Sequence, residues 1–398
     1  GFMNKIRKIL KIKNKNTTYT FKELLIVTIF VTLIISTITG FVVYKVISSN
    51  ELIKLESSYN KIKNEYYSDI NKEELENAAI DGMMKYLNEK YSLFMDQEET
   101  SSLNNKLEGN YDGIGIEIGI INSKIMVLNV YDNTPASIAG LKINDELVKV
   151  EDLVIDGSTS LKDVTNLIKN KKSVRLSIKR DNEVKEFNIN IKKIEKPVVT
   201  KKIFEKNNKK VGYIYLSTFS ENAGTQVKET LKKLDKENID SLIFDVRSNT
   251  GGYLTSVTEI LNLFLKKGHL MYSLEEKDKK KMYYDTTKEE YDKDVVVLID
   301  RKTASASEIL ASSLKESYGA TIVGTTSYGK GKVQNTYKLS KDTMLKYTTA
   351  KWYTPSGNSI DEVGITPGIY VTLGKEYVLN PSDETDTQLQ KAVDLLTQ

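Results

Sequence analysis

From Leu24 to Tyr44 the chain runs for 21 residues without a charge, built mainly of Leu, Ile, Val, Phe and Thr. At 1.5 Å of rise per residue, a helix of that length crosses the roughly 30 Å hydrocarbon core of a bilayer. A buried core helix rarely stays uncharged for so long. The apolar region of a secretory signal is shorter, about 7–15 residues, and ends at a small-x-small cleavage site. Val46-Ile47-Ser48-Ser49 is not of that form. The run therefore predicts a single uncleaved membrane anchor over 23–46. Ahead of it lie Lys5, Arg7, Lys8, Lys11, Lys13, Lys15 and Lys22 with no acid among the first 22 residues. A basic flank stays on the cytoplasmic side, so 1–22 reads as a cytoplasmic tail, with everything from 47 onward outside the cytoplasm.

Those seven charges also explain the net charge of +4, since the remainder of the chain is net −3. A basic tail on a near-neutral body is not the clustered footprint that nucleic acid requires, and no nucleic-acid partner is expected. The chain has no cysteine and one histidine, His269. Thiol nucleophiles, disulfides and His- or Cys-based metal clusters are thereby excluded, and a Ser-His-Asp triad would have to use His269, which lies in the basic loop Lys266-Lys267-Gly268-His269. No metal and no cofactor is expected.

Past the anchor the hydrophobic period changes three times. Over 47–106 it is helical: Leu52, Leu55, Tyr59, Ile62 and Tyr66 form one seam, and a second helix starting at Asn71 with Glu74 as capping partner would bury Leu75, Ala79, Met83 and Leu87. Over 107–195 short β-type runs take over (Ile114–Ile118, Ile125–Val130, Leu147–Val150, Val174–Ile178, Val184–Ile191), interrupted by a helix over Leu161–Asn170, which predicts a small β domain. Pro197 begins a linker. Over 196–375 strands and helices alternate: strands Val211–Leu216, Ser241–Val246, Val295–Asp300 and Ala320–Gly324, with helices Ala223–Leu234, Tyr253–Leu265 and Ser307–Tyr318. Such alternation predicts an α/β core with a mostly parallel sheet. The fold class is thus multidomain, α/β and β, behind an N-terminal transmembrane helix. The last stretch, 376–398, reads as a helical tail that docks or dimerises, and the helical ends at 47–95 and 382–398 predict a homodimer.

In an open α/β sheet, ligands sit outside the carboxyl ends of the strands. Two loops occupy that place, Arg247–Gly252 and Arg301–Ser305. Ser305-x-x-Glu308 is a capping box, so Ser305 satisfies orphan N–H groups; equally, a hydroxyl at a helix start lies beside free N–H groups able to hold an oxyanion. The Gly251-Gly252 pair closes a strand as a turn or brings an N–H to a substrate carbonyl, while the glycine–lysine spacing of a phosphate loop is absent. A serine nucleophile needs a base, and lysine serves only when burial favours its uncharged form. Lys330 is flanked by Gly329 and Gly331, which let the backbone pass close to another element.

Asp245-x-Arg-x-Asn-x-Gly-Gly252, Thr303-Ala-Ser-Ala-Ser-Glu308, Gly329-Lys-Gly-x-x-Gln334 and Trp352-Tyr-Thr-Pro-Ser-Gly357 followed by Gly364-Ile-Thr-Pro367 together resemble, in order and spacing, the signature set of the carboxy-terminal processing peptidases, the tail-specific serine proteases of family S41. The resemblance covers roughly 70 to 375 and implies a crotonase-like protease core. It implies Ser305 as nucleophile, Lys330 as general base 25 positions later, Gln334 as the group orienting the lysine, and the N–H groups of Gly251 and Ala306 as the oxyanion hole. Ser307 and Lys332 are the rival nucleophile and base. Thr250 stands where the family usually has proline. Tyr111-Asp-Gly-Ile-Gly-Ile116 with Thr134-Pro-Ala-Ser-Ile-Ala-Gly-Leu141 resembles a PDZ domain, implying that Gly113, Ile114, Gly115 and Ile116 bind a peptide with a free C-terminus and that Arg175 or Arg180 senses the ligand. The expected function is that of a membrane-anchored endopeptidase cleaving extracytoplasmic proteins near their C-termini; the alternative is a catalytically silent cell-surface PDZ scaffold.

Overall fold

The computed structural model describes residues 20–48, 52–168, 171–288 and 290–398. Of the basic tail, residues 1–19 lie outside them, as do positions 169–170 of the helix expected to reach Asn170. The chain forms two units, one up to Gly82 and one from Met83 to Gln398. In the first, α1 (Phe21–Ser48) carries the apolar run. Leu25–Lys45 is long and apolar enough to cross a membrane, and none of it is buried inside the protein. The next helix, α2 (Ile53–Glu65), buries no residue: Leu52, Leu55, Ile62 and Tyr66 of the expected seam are exposed. Then α3 (Lys72–Tyr86) starts at Asn71, whose side chain accepts from the N–H groups of Glu73 and Glu74. Its buried residue is Met84, whereas Met83 and Leu87 are half exposed. Leu75 and Ala79 are half-buried, so the predicted stripe holds at its start and shifts by one position only at Met84.

The second unit opens with β1 (Leu93–Met95) and α4 (Gln97–Leu107), the latter capped by Asp96 and Glu99 in a reciprocal box. The small β domain follows: β2 (Asn110–Gly113), β3 (Ile116–Ile121), β4 (Lys124–Val130), the short helix α5 (Pro135–Ala139), β5 (Glu146–Val150), β6 (Leu153–Val154), α6 (Leu161–Ile168), β7 (Ser173–Arg180), β8 (Glu183–Asn190) and β9 (Lys192–Glu195). Its antiparallel sheet runs β3-β4-β5-β7-β8, with β6 on β5, and closes over a core of Ile125, Val127, Leu147, Val164, Leu176 and Ile178. Strands β2 and β9 pair with each other, tying the domain's two ends together.

The α/β core comprises β10 (Val199–Lys206), β11 (Lys209–Leu216), α7 (Ala223–Lys236), β12 (Ser241–Asp245), α8 (Leu254–Leu261), β13 (Leu270–Glu276), β14 (Lys279–Tyr284), β15 (Asp294–Ile299), α9 (Ala306–Ser313) running on into a wide turn to Tyr318, β16 (Thr321–Gly324), β17 (Lys332–Lys338), β18 (Met344–Tyr353) and β19 (Ile369–Tyr370), then α10 (Lys375–Leu379) and α11 (Thr387–Leu396). The main sheet has the order β10-β11-β12-β15-β16-β19, and every pairing after the first is parallel. Alternate residues serve its two faces. Leu242 and Phe244 of β12 pack with α7, α8 and α9, while Ile243, with Val296, Leu298 and Val323, packs against Leu389, Ala392 and Val393 of α11. Helix α11 therefore spends its apolar side on the sheet, so the tail docks, and its buried face is unavailable for dimerisation. The stretch after Pro197, expected to be a linker, becomes the antiparallel edge strand β10. A second, antiparallel sheet runs β1-β18-β13-β14, with β17 on β18.

Candidate active site

The carboxyl ends of β12 and β15 bring two loops together. After β15, Ser305 holds φ 58° and ψ −117° before the first turn of α9. That left-handed corner is costly for a residue with a side chain and is the kind of strain found where a nucleophile is presented at a strand–helix turn. Ser305 and Glu308 face each other as a reciprocal capping box: Glu308 accepts the Ser305 N–H at 2.8 Å, and the Glu308 N–H turns back to Ser305, reaching its carbonyl at 2.8 Å. Ala306 supplies the first N–H of α9, buried and without a hydrogen-bond partner among the described residues.

After β12, Asn249 is fully buried and stitches the loops. Its amide donates to the Leu216 carbonyl at 2.8 Å, and its carbonyl accepts from Ala304 N–H and from the Ser307 hydroxyl. Gly251 lies so close to the corner that a Cβ there would stand 3.0 Å from Ser305 Cβ and 3.1 Å from Ala306 N, at a φ of +96°. Glycine is required on both counts. The Gly251 N–H, expected at the oxyanion hole, donates to Asn249 Oδ1 at 2.9 Å. Of the two expected donors, only Ala306 is uncommitted in this arrangement.

The lysine loop is fixed from four sides. Glu308, fully buried, accepts from the Ser327 hydroxyl (2.6 Å), Gly329 N–H (2.7 Å) and Lys330 N–H (2.9 Å), in addition to Ser305 N–H. The Lys330 carbonyl accepts from the indole of fully buried Trp352 at 2.8 Å. Gly331 N–H donates to Asp361, and Tyr328 N–H to the Thr303 carbonyl in the serine loop. A Cβ at Gly329 would meet Gly364 N at 2.9 Å, and one at Gly331 would meet Asp361 Cβ at 2.6 Å, so both glycines permit close approach. The Ser327 hydroxyl itself accepts from Ile365 N–H, so its proton goes to Glu308. With four donors aimed at two oxygens, Glu308 sits there as a carboxylate, even though burial pushes its pKa up. One buried acid thus binds the backbone of Ser305 to the backbone of Lys330.

Ser305 and Lys330 line one cavity of about 850 Å³, together with Gly251, Ala306 and Gln334. The Lys330 ammonium lies 4.8 Å from the centre of the Tyr91 ring. Burial lowers its pKa to about 8; the Lys346 charge adds to the effect and Glu89 and Glu308 oppose it. The rival base Lys332 stands 3.6 Å from both Glu89 and Asp361, and the rival nucleophile Ser307 is fully buried with its hydroxyl given to Asn249. Gln334 lines the cavity, but its amide donates to Thr348 at 3.2 Å, not to the lysine. Thr348 in turn donates to Glu89. His269 lies elsewhere, its ring against the Ser317 carbonyl. Glu308, Glu89, Tyr91, Lys106 and Lys346 are site residues that the motifs did not single out as such; only Glu308 left a signal, as a capping partner.

In the β domain, Gly113 ends β2, and Ile114 is a buried core residue whose carbonyl accepts from Ala136 N–H. Gly115, at φ +89°, accepts from Tyr131 N–H, and a Cβ there would strike Thr134 at 2.3 Å. The glycine loop is therefore packed on the Thr134–Leu141 segment, and Ile116 starts β3. Arg180 makes a two-pronged pair with buried Asp145 (2.6 and 2.7 Å) and donates to the Gly140 carbonyl. Arg175 keeps 66% of its side chain exposed, beside Glu151 and Asp152.

The chain matches three family models: peptidase family S41 over residues 210–371, the PDZ domain over 112–191, and the N-terminal domain of the activating protease CtpB over 38–99. It is 38% identical to the carboxy-terminal processing protease CtpB of Bacillus subtilis over 323 residues, 80% of this chain and 67% of that one. It is 33% identical to the probable CtpA-like serine protease of Staphylococcus aureus, over 92% of this chain and 75% of that one. A solved S41-type protein from Bacteroides fragilis shares the fold at a TM-score of 0.52 and 15% identity, over 80% of this chain and 90% of that one. By sequence, domain content and fold, the chain belongs to the S41 serine peptidases of the carboxy-terminal processing type, with a PDZ domain.

Proposed function

We propose that this chain is a membrane-anchored serine endopeptidase that works outside the cytoplasm and cuts protein substrates near their C-termini with a Ser305/Lys330 dyad. The uncharged amine of Lys330 takes the Ser305 hydroxyl proton as the oxygen bonds to the substrate carbonyl carbon. The resulting oxyanion is held by the Ala306 N–H, joined by the Gly251 N–H when that group exchanges Asn249 for the substrate. Collapse of the tetrahedral adduct breaks the C–N bond, and the Lys330 ammonium gives its proton to the leaving amine. Water, deprotonated by the same lysine, then releases the acyl group as a carboxylic acid and restores Ser305. The PDZ domain takes the substrate's C-terminal tail, and Arg175, with its accessible guanidinium, is the better placed of the two arginines to sense it. Residues 47–95 form the homodimer contact, through the exposed seam of α2.

The observation that carries this proposal is the Glu308 clamp: one carboxylate bonded to the N–H groups of both dyad residues, beside a lysine whose pKa burial has brought to about 8. Incubation of the chain with an unstructured protein such as casein tests it. Cleavage is expected from the wild type, with a C-terminal PDZ ligand peptide added as activator, and loss of cleavage from Ser305→Ala and Lys330→Ala. Full activity in either variant removes the dyad. Binding of C-terminal peptides without any cleavage would favour the silent scaffold.

A further inference from the structure

The cavity around Ser305 is lined by five basic side chains, Lys106, Arg301, Lys302, Lys330 and Lys346, and by no Asp or Glu. General basicity does not account for this, because the chain beyond the first 22 residues is net negative. Lys330 has its role in the dyad, and Arg301 and Lys302 are exposed on the turn before Ser305. Lys106 has none yet, and Lys346 none beyond its charge on Lys330.

Lys106 lines the cavity from the C-terminal end of α4, and its ammonium donates to Thr250 Oγ1 at 2.5 Å, one residue before Gly251. Lys346 projects from near the start of β18, between Leu93 of β1 and Thr336 of β17, on the same cavity-facing side as Met344. Among the described residues, no ion pair is recorded for either. The contrast is with Lys332 of the adjacent strand, which has both Glu89 and Asp361 at 3.6 Å. Half-buried and without an ion pair, Lys346 is held below the ordinary lysine value by burial, against the charge of Glu89. Desolvation and then the Lys346 charge lower Lys106, so the two ammoniums feel each other across the cavity. Like charges gathered in a concave site raise the local concentration of an anion, and an anion seated between them relieves both their repulsion and their desolvation.

We infer that Lys106 and Lys346 form an anion subsite beside Ser305, which takes a carboxylate carried by the substrate within a residue or two of the scissile bond and so selects acidic cleavage contexts. This presupposes peptidase action at Ser305. The carboxylate can come from an Asp or Glu side chain or from the substrate's own terminus, and peptide design separates the two.

The test uses the full chain in detergent. With Ser305→Ala, affinities are measured for peptides that differ only by Glu against Gln at one position, and by a free against an amidated C-terminus. The acidic member of at least one pair should bind about tenfold more tightly, the scale of a hydrogen bond to a charged group. That ratio should fall towards one in a Lys106→Met/Lys346→Met background, with the neutral peptide's affinity little changed, and should be kept by Lys346→Arg. Equal affinities within both pairs, or a preference that survives the double substitution, overturn the subsite. Circular dichroism and the neutral peptide's retained affinity guard against misfolding. Cleavage of the same peptides by the wild type separates the two claims. Cleavage without acidic preference leaves the peptidase and removes the subsite, whereas a lysine-dependent binding preference without cleavage leaves the subsite and removes the peptidase.

Discussion

The base role proposed for Lys330 depends on its surroundings. Burial brings its pKa from the ordinary lysine value to about 8, and Lys346 pushes the same way while Glu89 and Glu308 resist. At pH 7 roughly a tenth of such a lysine is uncharged. Peptidase activity is therefore expected to rise with pH and level off above about 8, because only the uncharged amine accepts the serine proton. Glu89→Gln removes a charge that favours the ammonium, so the acid limb of the kcat/KM profile should move to lower pH, as stopped assays across pH 5–10 will read. Movement to higher pH would contradict the assignment. This electrostatic setting was not legible in the sequence: Lys330 is one of 58 basic residues, and Glu89, Tyr91 and Lys346 reach it from β1's approach and from β18. The pattern Ser305-x-x-Glu308 was legible, but as a helix cap. Its second set of partners, the N–H groups of Gly329 and Lys330, depends on a loop more than 20 residues away.

At the scale of elements, Glu308 joins the start of α9 to the loop before β17. Glu308→Gln keeps one acceptor oxygen and turns an NH2 towards two N–H donors. The dyad should remain present but misplaced, with kcat lowered about 10–100-fold, KM changed less and the far-ultraviolet spectrum retained. A kcat within twofold of wild type would show the clamp to be dispensable. In the PDZ domain the two arginines should part company. Arg180→Ala leaves Asp145 buried and unpaired and should cost about 3 kcal/mol or more by denaturant unfolding; Arg175→Ala, at an exposed pair, should stay within about 0.5 kcal/mol. The alternation of β7 and the continuous apolar run of β11 were readable from their pattern. The linker that became β10 was not: Val199–Lys206 carries four lysines and glutamates, as an edge strand tolerates, and its partner β11 supplied the structure. The phase of the last turn of α3 also escaped, since Met83 and Met84 are equally apolar and only packing chooses between them.

For the whole molecule, the N-terminal apolar helix and the protease core were the most legible parts. The first was set by an uncharged run that nothing in the protein buries, the second by four motifs, two in loops after β12 and β15 of the main sheet and two at β17 and β18 of the second. Full-length chain expressed in a bacterial host should stay with the membrane through alkaline carbonate washing, while a chain starting at Leu52 should be released. External protease should reach the catalytic unit of intact spheroplasts. Release of the full-length chain by carbonate, or protection of that unit, would contradict an uncleaved anchor with an outer catalytic part.

The measurement closest to the chemistry is covalent labelling by a fluorophosphonate, read by mass spectrometry across pH 6 to 10. The dyad predicts one adduct, on Ser305, formed at a rate that climbs through about pH 8 and collapses in Lys330→Ala. An adduct on another residue, or a Ser305 labelling rate indifferent to pH and to the loss of Lys330, would contradict it.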